Sequence, residues 1–217
     1  MADVATAQRF RFVAEYVILF FGLVGGYALL GSPGSPIPFL VVLAGAAWLY
    51  LRREPTFDRD NLWRAGAVRA ELPSILRLSA VVAVTMVVAV AVWSPDRLFG
   101  FPREEPVMWL VVVILYPLLS VYPQELLFRA FLMHRYAHAF GSGTATAAAS
   151  AAAFGFAHII FGTVMSVLLT LVAGWMFARR YHRSRSLLAA SIEHALFGVL
   201  AFTIGLGHLF YHGAADG

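Results

Sequence analysis

The chain has 217 residues, 60% of them hydrophobic and only 13% charged, whereas a soluble domain carries about 25% charged residues; an ordinary soluble globular protein is excluded. The absence of cysteine excludes disulfides, thiolate nucleophiles and Cys-ligated metal centres. The net charge of +4 comes with 16 basic residues, all arginine, clustered near the ends of apolar segments without the aromatic–basic interleaving of an RNA-binding surface, so no nucleic-acid partner is expected.

A membrane-crossing helix needs about 20 mostly apolar residues. Seven such segments are predicted, over about 13–31, 37–51, 75–93, 107–135, 145–161, 163–179 and 187–210. The expected fold is an all-α polytopic transmembrane bundle, a single integral-membrane domain over 1–217 in contact with membrane lipids. The first segment follows Arg9 and Arg11 and is too long for the apolar core of a signal peptide, so it reads as a retained anchor. The loop after the second holds Arg52, Arg53, Arg59, Arg64 and Arg69. With Leu62, Trp63, Val68 and Leu72 it is amphipathic enough to include a helix lying on the membrane surface. The fourth segment is long enough to be two pieces, kinked or broken by Pro117 and Pro123, each of which removes a backbone donor. Proline is favoured at the first position of a helix, so Pro123 could open a half-helix whose first turn holds Glu125.

The fifth segment is rich in small residues. Ala148, Ala152 and Gly155 allow close backbone approach, which predicts a place at the centre of the bundle. The sixth is followed by Arg179, Arg180, Arg183 and Arg185. All these arginine groups fall on one side of a seven-span arrangement, which predicts a cytoplasmic N-terminus and an external C-terminus. The expected location is a bacterial or archaeal plasma membrane.

Three polar stations interrupt the later segments: Gln124 to Arg129, Phe154 to His158 and Glu193 to Gly198. An ionisable group inside a bilayer costs about 2.5–3.5 kcal/mol on insertion scales, so it persists when it pairs or performs a task. Glu125 and Arg129 are four apart, share a helix face and can pair, while Gln124 points about 100° away. A kinked helix with a purely structural Glu–Arg pair accounts for this station equally well. At about 1.5 Å per residue, Glu125, His158 and His194 lie roughly 15, 20 and 12 Å from the cytoplasmic ends of their helices, so one shared site is geometrically feasible. His134 and His138 near an inner helix end fit dipole compensation better than a metal site, and His208 and His212 fit interfacial anchoring.

The ordered set of stations resembles the CAAX-protease and bacteriocin-processing family (CPBP, also called Abi), which includes the type II CAAX prenyl endopeptidases. That family shows Glu-Glu-x-x-x-Arg, then Phe-x-x-x-His, then His-x-x-x-Asn or a similar polar residue. Glu125 and Arg129 match the second acid and the arginine, Phe154 and His158 match the second motif, and His194 matches the third histidine. Gln124 takes the first-acid position and Gly198 the third motif's polar position. The resemblance covers about 107–210. It implies an intramembrane endopeptidase acting on a membrane-associated protein or peptide, such as a prenylated C-terminus, a leader peptide or a sorting tail. By the same resemblance Glu125 activates water, His158 and His194 position water or the oxyanion, Gln124 donates an amide hydrogen bond and Arg129 orients Glu125. A metal-free route is favoured, although Glu125, His158 and His194 match a catalytic zinc set in type. Two other functions fit the same residues: a non-catalytic scaffold or immunity-type protein of the same fold, and a small proton-coupled transporter, for which no inverted repeat speaks.

Overall fold

The computed structural model describes the backbone of residues 2–210 and the side chains of residues 6–210; His212 lies outside them. Among the described residues every regular element is helical. Helix α1 runs through 2–29, α2 is Ile37–Arg53, α3 is Ala65–Trp93 and α4 is the short Gly100–Glu104. Next come α5, Pro106–Arg135, the short α6, Ala137–Phe140, and α7, Thr144–Ala157; α8, Val164–Ser184, and α9, Leu187–Ile204, complete the bundle.

The seven long helices follow the seven predicted segments. Five of them, α1, α3, α5, α7 together with the 3-10 turn that continues it to Phe161, and α9, are long and apolar enough to cross a membrane. Helix α2 has 17 residues, and α8 ends in Arg179, Arg180, His182 and Arg183. Valines at helical spacing on α3 (Val81, Val84, Val88 and Val92) are exposed on the outside of the bundle, as lipid-facing positions must be.

The most apolar windows of α7 and α9 are 39% and 50% buried, against 11%, 17% and 11% for α1, α3 and α5. The small-residue helix therefore is central, as its composition implies. A Cβ on Gly155 would lie 3.0 Å from the Leu171 backbone, and one on Gly174 2.9 Å from the Phe154 ring and 3.4 Å from the Ala151 backbone. Helices α7 and α8 thus cross at a distance that only small residues allow.

Two expectations need correction. The loop after α2 contains no separate surface helix: after the 3-10 turn Arg59–Leu62, α3 starts at Ala65 and runs without interruption through Pro73. Its first turns are tied to α8, because Glu71 accepts from Arg183 Nη2 at 2.6 Å and also pairs with Arg180. Helix α5 is neither broken nor restarted at Pro123. It passes through two π-helical stretches, Pro117–Val121 and Leu126–Phe131, with Val121 and Tyr122 both in right-handed helical conformation. The first stretch begins at Pro117 and ends two residues before Pro123, so the wider turn lies where the prolines withhold their donors. Glu125 therefore sits in mid-helix, between the stretches, without the help of a helix N-terminus.

Candidate active site

Glu125 and Arg129 are both completely buried on one face of α5. Arg129 Nε lies 3.2 Å from Glu125 Oε2, an ion-pair distance. The contact is off-axis, so Oε2, Nε and Arg129 Nη2 have no hydrogen-bond partner in the protein. The guanidinium is held elsewhere: Nη1 donates to Ser150 Oγ at 2.9 Å, Ser150 Oγ donates to the Phe128 carbonyl at 2.7 Å, and the cation lies 4.7 Å over the Phe154 ring. Ser150 and Phe154 both come from α7, so the central helix positions the arginine.

The other carboxylate oxygen faces α9. His194 Nδ1 is 2.9 Å from Glu125 Oε1. A carboxylate only accepts, so with Glu125 paired to Arg129 a ring proton resides on Nδ1, and in the neutral ring Nε2 keeps its lone pair. Tyr116 Oη lies 3.2 Å from that Nε2. The imidazole itself stacks on Phe177 at 4.6 Å and meets Phe154 edge-on at 5.4 Å. Two predicted stations, sixty-nine positions apart in the chain, are thus in direct contact.

His158 is near this cluster but does not touch Glu125. The end of α7 tightens into the 3-10 turn His158–Phe161. His158 Nδ1 donates to the Phe154 carbonyl at 2.8 Å, and its ring packs on Phe154 at 4.7 Å. The Phe154 ring therefore contacts both His158 and His194. Gln124 is turned away, its amide donating to Ser120 Oγ at 2.7 Å. Glu193, the other acid at the third station, is drawn into a separate cluster: Arg180 Nη2 donates to it at 2.7 Å and Nε at 3.1 Å.

The zinc set does not fit this arrangement. Among the described residues no three His, Asp or Glu side chains are placed to hold a metal ion. The histidines of the inner helix end have other neighbours. His134 Nε2 is 3.3 Å from Thr56 Oγ1, whose hydroxyl also donates to Glu54 and holds that carboxyl below its ordinary range, and His138 stacks on Phe12.

Sequence reasoning missed Tyr116. A tyrosine in an apolar helix gives no signal by itself, and its link to position 198 is purely spatial: a Cβ on Gly198 would collide with the Tyr116 ring and hydroxyl.

The comparison with known families points the same way as the motifs. Residues 104–200, which include all three stations, match the family model described as type II CAAX prenyl endopeptidase Rce1-like. No curated protein and no solved structure gives a significant match.

Proposed function

Residues 104–200 being Rce1-like, we propose that the chain is an intramembrane endopeptidase that cleaves a peptide bond of a membrane-associated protein or peptide, with Glu125 as the base that activates water. The observation that carries this reading is the Glu125–His194 contact at 2.9 Å, made inside the bundle between α5 and α9. A buried carboxylate held on one oxygen by an imidazole and beside an arginine on the other retains lone pairs on Oε2 for a water.

The reaction follows from these groups. The water oxygen attacks the substrate carbonyl carbon, its proton passes to Glu125, and the carbonyl π pair moves to oxygen. Collapse of the tetrahedral intermediate breaks the C–N bond, and the same proton goes to the leaving amine. Arg129 and His194 fix the carboxylate during both transfers. His158, its Nδ1–H given to the Phe154 carbonyl, offers Nε2 as an acceptor for the water or a substrate N–H. No metal enters these steps. The substrate class proposed from the family is a prenylated C-terminal peptide, presented from the lipid phase. The plasma membrane is the proposed location, with the arginine-rich loops in the cytoplasm and no nucleic-acid partner.

The test is cleavage of a farnesylated C-terminal peptide by protein in liposomes. Removal of an acid–base group costs about 10²–10⁴-fold in rate. Glu125→Gln, expressed and folded like the parent, is expected to lose cleavage by at least that lower factor. Equal cleavage by parent and Glu125→Gln would overturn the proposal. A phenotype in cells that survives Glu125→Gln would instead favour the scaffold.

A further inference from the structure

We infer that Tyr116 is a positioning residue of this site, and that position 198 is glycine because the Tyr116 phenol occupies the space a side chain there would fill. The inference rests on the endopeptidase reading and adds a member that it does not include.

Three observations carry it. Tyr116 Oη is 3.2 Å from His194 Nε2, the nitrogen opposite the one that faces Glu125. Position 198 is four residues after His194 on α9, so a side chain there would share the imidazole's helix face. A Cβ at 198 would meet the Tyr116 hydroxyl and two carbons of its ring. The phenol is held in that position from the other side by Phe202, one turn further on, edge-to-face at 5.5 Å.

The hydrogen bonding has one consistent direction. His194 donates Nδ1–H to Glu125, so in the neutral imidazole Nε2 only accepts, and Tyr116 O–H is its donor. The phenol therefore locks the imidazole in the tautomer that serves Glu125. Without it, the proton can move to Nε2, and Glu125 loses its donor for part of the time. The contact comes from α5, the helix that also carries Glu125, so the two residues clamp His194 from one element while α9 supplies it.

Tyr116→Phe keeps the ring against Gly198 and Phe202 and removes only the hydroxyl. It is expected to lower kcat about 10- to 100-fold with KM little changed, the pattern of a lost contribution to the chemical step. Gly198→Asn alone is expected to be at least as impaired, through collision with the phenol. Tyr116→Ala with Gly198→Asn frees the space and gives Nε2 an amide N–H donor from the same helix face, so it should recover activity above either Tyr116→Ala or Gly198→Asn. A second readout needs no substrate. In protein labelled with ¹⁵N-histidine, the Nε2 resonance that vanishes in His194→Gln should shift in Tyr116→Phe. Glu125→Gln in the same assay separates the two claims: if it is inactive while Tyr116→Phe cleaves at the parental rate with an unshifted resonance, the inference about Tyr116 falls and the endopeptidase reading stands. If Glu125→Gln is active, that reading falls, and an unshifted resonance would overturn the inference as well.

Discussion

Removing Arg129 strands a carboxylate. Both partners are completely buried, and an uncompensated buried charge costs about 3–5 kcal/mol. Arg129→Ala is therefore expected to lower folded yield and melting temperature in detergent as well as cleavage, measured by size-exclusion chromatography and a thermal melt. Arg129→Lys should rescue little of this, because a single ammonium cannot stack over Phe154, reach Ser150 and face Glu125 together. Gln124 gives the opposite expectation. Its amide is spent on Ser120, so Gln124→Ala should stay well short of the about 10²-fold loss that marks an acid–base group; a loss of that size in the peptide assay would return Gln124 to the chemistry. Of the residues proposed to act here, Glu125, Arg129 and His194 were legible because charge and imidazole in apolar helices are costly and hence informative. Tyr116 was not, since tyrosine is ordinary in such a helix and the glycine that accommodates it lies on another one. The detachment of His158 from Glu125 was also hidden, because it depends on the last turn of α7 tightening.

At the level of elements, the α7–α8 crossing holds the Phe154 ring in place, and that ring touches Arg129, His158 and His194. Gly174→Ala would press its new methyl against the ring. Overpacking of this kind costs about 1–3 kcal/mol, and cleavage should fall with stability. Gly45→Ala in α2 is the control: nothing lies within 4 Å of the added carbon, and alanine is a better helix former by about 0.5–1 kcal/mol. Its melting temperature should be equal to or above the parent's; equal melting of Gly174→Ala and Gly45→Ala would show that the crossing tolerates more volume than its geometry implies. The spans themselves were readable from length and apolarity. The start of α3 was not, because its amphipathic first turns look like a surface helix until Glu71 is seen paired with Arg180 and Arg183 on α8.

Across the whole molecule, a cysteine-free chain makes its topology directly measurable. Ser35, between α1 and α2, and Arg185, between α8 and α9, are both exposed. On the orientation proposed from the arginine distribution, Arg185→Cys should react with an impermeant maleimide only in inverted vesicles, and Ser35→Cys only in intact cells. Exchange of the two patterns would reverse the bundle. The ion cluster of Glu71, Glu193, Arg180 and Arg183 joins α3, α8 and α9 at the end where those arginines gather. It would then lie on the cytoplasmic side of Glu125, fastening three helices below the site.

A π-helical stretch is a helical turn with one residue to spare, and α5 has one on each side of Glu125. The helix can therefore lose a residue from such a stretch and relax to ordinary α geometry without breaking. Deletion of Leu119 would do this at Pro117–Val121, and because about five residues of π geometry turn through the same angle as four of α geometry, the parts of α5 on either side would keep their facing. Glu125 would stay opposite His194 and Tyr116 would stay on the face that meets it, so cleavage and the His194 Nε2 resonance should change little. In this helix the wider turns let the count of residues change while the facing of the groups is kept, so a single-codon deletion at Leu119 should leave phenol, imidazole and carboxylate wired together.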